Sequence, residues 1–160
     1  MYQFDVSLGS RAELYRDLHA ALGALIADER NWVANCANAA ALIWQYLPDL
    51  NWAGFYRLVD GELVLGPFQG RPACIRIALG AGVCGAAAAI GETQCVADVH
   101  AFPGHIACDA ASASELVVPV RSGGRVVAVL DLDSPLVARF DAEDATGAER
   151  LCALLSPCFA

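Results

Sequence analysis

The residue pattern predicts an α+β domain with a mostly antiparallel central sheet and the N- and C-terminal helices packed on one face. Three observations carry that prediction. Helical periodicity dominates the two ends of the chain, two hairpin patterns with tight turns fill the middle, and no repeat, low-complexity tract or linker interrupts them. Residues 1–160 therefore read as one domain, a length that buries roughly 70% of its unfolded surface without staples.

Ser10 and Glu13 form a capping box ahead of Leu14, Leu18, Leu22 and Leu25 at helical spacing. A second helix is predicted from about Asn31 to Leu47, with Val33, Cys36, Ala37, Ala40 and Trp44 as its apolar face and Pro48 as its stop. The period then changes to two. AGFYRLV (53–59), Asp60-Gly61 and ELVLG (62–66) read as a β-hairpin with a two-residue turn. CIRIAL (74–79) alternates as a further strand. Gly80, Gly82 and Gly85 then bracket Val83 and Cys84 in a turn, and AAAAIG (86–91) suits a small helix. Thr93 to Asp98 is a short strand. ELVVPV (115–120), the turn SGG (122–124) and RVVAVLDLD (125–133) form a second hairpin, and a closing helix runs from its cap Asp141 to about Leu155.

Composition excludes several function classes. The hydrophobic fraction is 57%, but no uninterrupted apolar stretch reaches the length of a membrane span. MYQFDVSLGSRAEL has no basic region leading into an apolar run, so a cytoplasmic protein is expected. The formal charge is −8, and all ten basic residues are arginines scattered along the chain, which argues against nucleic-acid binding. The seven cysteines, an odd number with no signal segment, do not suggest a secreted disulfide framework. Buried packing, metal binding or redox chemistry remain, and for Cys36 on an apolar helix face packing is the expectation.

HAFPGHIACDAASASE (100–115) carries the chemistry. The segment 99–114 has no strand or helix period and is long for a compact domain, as functional loops are, while Val99, Phe102 and Ile106 give it apolar anchors. Cys95, His100, His105 and Cys108 offer zinc-type ligands, but without a Cys-x-x-Cys pair the zinc signal is weak, and no metal is expected. A redox reading fits better. Cys108 follows His105 by three residues, and Cys74 and Cys84 flank the glycine turn. If the fold joins these turns, one thiol attacks and another resolves the sulfenic acid as a disulfide.

Asp131 and Asp133 share a strand face by period two, and Glu115 opens the neighbouring strand. If they meet at a sheet mouth, such carboxylates bind an ammonium group, and crowding and burial raise one pKa to leave a proton donor near neutral pH; the alternative is strand-end residues that face water. Trp52 and Tyr56, four apart, wall a small apolar pocket or serve simply as core.

GPFQGRPAC (66–74), GAGVCG (80–85), VADVHAFPGHIACDAASASE (96–115) and LDLDSP (130–135) together resemble the free methionine-(R)-sulfoxide reductases, which are built on a GAF domain. The likeness runs in order from about Trp52 to Pro135. It implies a GAF-like fold, with Cys108 as the catalytic cysteine, Cys74 as the main resolving cysteine and Cys84 as a third thiol and alternative disulfide partner. Glu115, Asp131 and Asp133 resemble the carboxylates that hold the substrate amino group and assist protonation of the sulfoxide oxygen. Trp52 and Tyr56 match the pocket aromatics around the methyl-sulfoxide end. His105 receives no firm role.

The resemblance further implies free methionine sulfoxide as substrate, no bound cofactor, thioredoxin or a similar dithiol as electron donor, and a homodimer through the N-terminal helices. Cys95, Cys152 and Cys158 fall outside the family motifs. The alternative function is a non-catalytic GAF-type module that binds a small ligand. A zinc-stabilised protein with buried cysteines is a third reading.

Overall fold

The computed structural model describes residues 9–106 and 109–160. The chain begins with helices α1 (Arg11–Ile26) and α2 (Trp32–Tyr46). Strands β1 (Trp52–Val59), β2 (Glu62–Gly70) and β3 (Arg76–Ala78) follow, then α3 (Gly82–Ile90) and β4 (Gln94–Val96). The long hairpin β5 (Ser114–Ser122) and β6 (Arg125–Ser134) leads to α4 (Ala142–Leu155). The six strands make one antiparallel sheet in the order β3-β2-β1-β6-β5-β4.

Local chemistry explains the main boundaries. The Ser10–Glu13 capping box starts α1, and Asp141 caps α4 through Glu143 and Asp144. Both hairpins turn on left-handed pairs, Asp60-Gly61 and Gly123-Gly124, as two-residue loops require. The register of β1 on β2 slips between Gly54 and Tyr56, beside Gly66 and Pro67 on β2. Proline cannot donate to a ladder, so a bulge is the natural place for it.

The sheet separates two cores. On one face, α1, α2 and α4 pack over Phe55, Leu116, Val118, Leu130 and Leu132. On the other, α3 and the loops cover Trp52, Tyr56, Val117 and Val129. The α+β class and the one-sided packing of the terminal helices thus match the prediction, with the small helix α3 on the opposite face.

Three local expectations need correction. Val33, Ala37 and Trp44 point outward from α2, which buries Asn35, Cys36, Ala39, Ala40, Leu42, Ile43 and Tyr46 instead. The helix is apolar nearly all round, so an alternative stripe sits next to the true one and periodicity does not separate them. Cys84 lies within the first turn of α3 and not in the preceding turn, because the helix begins at Gly82. Cys74 belongs to the loop before β3, which starts two residues later at Arg76.

Candidate active site

One pocket on the α3 face collects most of the predicted residues. Its lining includes Trp52, Tyr56, Cys84, His105, Glu115, Asp131 and Asp133. Strand alternation explains the convergence. Glu115 of β5 stands opposite Asp133 of β6, and Val117 stands opposite Asp131, so the three carboxylates share the face that α3 covers. Trp52 stacks on both Tyr56 and Phe68, with ring centroids 5.8 Å and 5.3 Å apart. Their polar ends are fixed by loop carbonyls: Trp52 Nε1 donates to Arg71 O at 3.1 Å, and the Tyr56 hydroxyl to Cys74 O at 3.0 Å. Gly54 lies between the two aromatics, and a Cβ there would collide with the Trp52 ring and with Phe68.

The carboxylates are buried without a cation. Glu115 and Asp131 are 7% and 6% exposed, and Asp133 is partly buried. Among the described residues no arginine pairs with any of them. The nearest basic group is His105, whose Nε2 lies 4.0 Å from Glu115 Oε2. Burial, and then the His100 charge, lower the His105 pKa, so the ring is neutral near pH 7.

Burial also raises all three carboxyl pKa values, Glu115 and Asp133 well above the ordinary range and Asp131 to about 6. The repulsion of Asp131 adds to the first two. Glu115 and Asp131 are hydrogen-bonded to each other, and the Cys84 thiol also bonds the Asp131 carboxylate. Asp131 Oδ1 nevertheless has no hydrogen-bond partner. A buried, unpaired carboxylate oxygen beside a proton-bearing carboxyl suits a cationic ligand that brings its own donors.

The thiols differ in state. Cys84 Sγ lies 3.9 Å from Glu115 Oε1, and burial followed by the Asp131 and Glu115 charges push its pKa well up, which keeps it a protonated thiol. Cys74 is disulfide-bonded, whereas Cys36, Cys84, Cys95, Cys152 and Cys158 are free. Cys108, the predicted nucleophile, lies outside the described residues.

Cys84, Glu115 and Asp131 also place their donor atoms within 4.8 Å of one another, the only such metal-type group among the described residues. Among the described residues, Cys95, His100 and His105 of the weak zinc set do not come together. Cys95 and His100 are exposed, and His100 pairs with Asp98, while His105 faces the pocket.

Sequence reasoning missed the polar rim. Asn51 Nδ2 donates to Asp109 Oδ2 at 3.3 Å and to Ser112 Oγ at 3.1 Å, and Ser112 also bonds Asp133. Asp109 and Ser112 line the pocket, but a polar residue in an aperiodic loop gives no signal of where it points.

An antiparallel six-stranded sheet, with helices on one side and a loop-roofed pocket on the other, defines a GAF domain, and the GAF-domain model matches residues 36–159. Full-length relatives narrow the class. The free methionine-R-sulfoxide reductase of Escherichia coli (strain K12) is 50% identical across 91% of this chain and 88% of its own. That of Saccharomyces cerevisiae is 43% identical across 92% and 86%. The X-ray structure of the Neisseria meningitidis free methionine-R-sulfoxide reductase, in complex with its substrate, superposes with a TM-score of 0.96 at 45% identity, covering 99% of this chain and 96% of that one. The chain belongs to the free methionine-R-sulfoxide reductase family. Among its described residues no helix is long and apolar enough to cross a membrane.

Proposed function

We propose that the protein reduces free methionine-(R)-sulfoxide to methionine through Cys108. The thiolate attacks the electrophilic sulfoxide sulfur while a carboxyl proton neutralises the oxygen. The oxygen passes to Cys108, methionine departs as the sulfide, and Cys108 is left as a sulfenic acid. The Cys74 thiol then displaces that oxygen as water and forms the disulfide. Thioredoxin or a similar dithiol reduces it by exchange, so no bound cofactor is required. Cys84 serves as the alternative disulfide partner.

The observation that carries this reading is the unneutralised carboxylate group at the base of an aromatic-walled pocket. Asp131 and Asp133 receive the substrate ammonium group, and Glu115, whose pKa burial and the Asp131 charge push well above the ordinary carboxylate range, is the donor to the sulfoxide oxygen. Trp52 and Tyr56 enclose the methyl-sulfoxide end. The disulfide state of Cys74, on a loop tied to Tyr56, supports its resolving role. The activities named for the relatives agree with this substrate.

The test is thioredoxin-coupled NADPH consumption with free L-methionine-(R)-sulfoxide, comparing wild type with Cys108→Ser. Turnover that disappears in the variant is expected. Turnover that persists moves the attack to another thiol, and folded, reduced wild-type protein with no turnover favours a ligand-binding module.

A further inference from the structure

On the helix face, away from the pocket, three cysteines enter the same core: Cys36 and Cys152 are buried in it, and Cys158 packs partly exposed against it. We propose that Cys158 and Cys36 form a second dithiol site, in which Cys158 is oxidised by a hydroperoxide and Cys36 closes a disulfide that joins α2 to the C-terminal turn.

Geometry supplies the pair. Residues Ser156–Phe159 form a short 3-10 turn against α2, anchored by Phe159 on Trp32 with ring centroids 5.8 Å apart. This turn brings the Cys158 sulfur within hydrogen-bonding reach of the Cys36 thiol. As a neutral thiol, Cys158 donates to Leu155 O at 2.8 Å. As a thiolate it accepts from Cys36, from the Asn35 side chain and from its own backbone amide, with the Arg30 charge nearby. Those donors, Cys36 foremost, bring its pKa down to about 7, whereas Cys36 is pushed up by the same bond and by burial.

An accessible thiolate beside a buried thiol is the division of labour an attacking and a resolving cysteine need. The Cys158 thiolate attacks the peroxide, the O–O bond breaks, and an alcohol or water leaves after taking up a proton. Cys158 is then a sulfenic acid. The Cys36 thiol attacks its sulfur, the S–O bond breaks, and water departs with the Cys36 proton. Two thiols and one hydroperoxide thus give one disulfide, one alcohol and one water, and an external dithiol reverses the product. The site uses no residue of the pocket.

The test follows the cleavage map. Trypsin places Cys36 in peptide 31–57 and Cys158 in peptide 151–160, which also holds Cys152. The assay therefore treats reduced Cys152→Ser protein with a small excess of hydrogen peroxide near pH 7.5, before mass spectrometry of the digest. A 31–57 to 151–160 link that dithiothreitol removes is expected. In Cys36→Ala, and in Cys36→Ser should the first fail to fold, Cys158 should instead accumulate as a dimedone-trapped sulfenic acid. Absence of the link when the Cys74 peptide is fully oxidised overturns the proposal. So does a Cys158 sulfenic acid that persists with Cys36 intact.

Discussion

The two faces of the sheet bury acidic groups in opposite ways. On the helix face, Asp144 is fully buried yet surrounded by partners: Arg11 at 3.0 Å, Arg139 at 3.2 Å, the Tyr15 hydroxyl at 3.0 Å and the Asp141 amide at 3.1 Å. On the pocket face, Glu115, Asp131 and Asp133 have no arginine among the described residues, and one oxygen of Asp131 lacks any partner. One face uses a carboxylate to fix a helix end. The other holds carboxylates that, in the proposed function, a ligand's ammonium group completes, at a cost to the unliganded fold.

Breaking the satisfied side should give the largest effect on stability. Asp144→Ala leaves Arg139, only 7% exposed, without its counter-charge, and should lower stability by about 3–5 kcal/mol in a denaturant titration. On the pocket side, Asp131→Asn removes the anionic acceptor for the ammonium group. It should reduce kcat/KM for free methionine sulfoxide by about 100-fold, mainly through KM.

The same substitution should act with the opposite sign on the fold. At pH 7.5 it relieves a buried charge, raising Tm by about 2–6 °C. The gain should vanish near pH 4. A carboxyl whose folded pKa is raised contributes stability that is present below its unfolded pKa of 3.8 and lost as pH rises through about 6. A gain of equal size at both pH values would show that the buried charge of Asp131 is not the cause. The smallest expected effect is on substrate binding in wild type: KM should rise a few-fold as pH falls below about 6 and Asp131 gains its proton.

How much of this was legible depends on whether short-range periodicity decides it. Period two put Asp131 and Asp133 on one face, and Trp52 with Tyr56, and the structure has both pairs in the pocket. The Asp60-Gly61 turn and the Ser10 and Asp141 caps have local chemistry and were readable. The α2 face was not, because nearly every position on that helix is apolar and tertiary packing selects among equivalent stripes. The burial of the carboxylates was one of two open readings. LDLD at a strand end is compatible with solvent until α3 and the loop close over it. The meeting of Cys36 with Cys158 depends on a C-terminal turn that carries no helical period of its own.

The central claim is that the unpaired carboxylates recognise a free α-ammonium group. Its most direct test compares wild-type kcat/KM for free L-methionine-(R)-sulfoxide with that for the N-acetyl derivative, which keeps the sulfoxide and loses the positive charge. Loss of the ammonium–carboxylate contact should lower kcat/KM by about 30- to 1,000-fold. Equal values for the two substrates would contradict the account and leave the buried charge on the pocket face without a function in recognition.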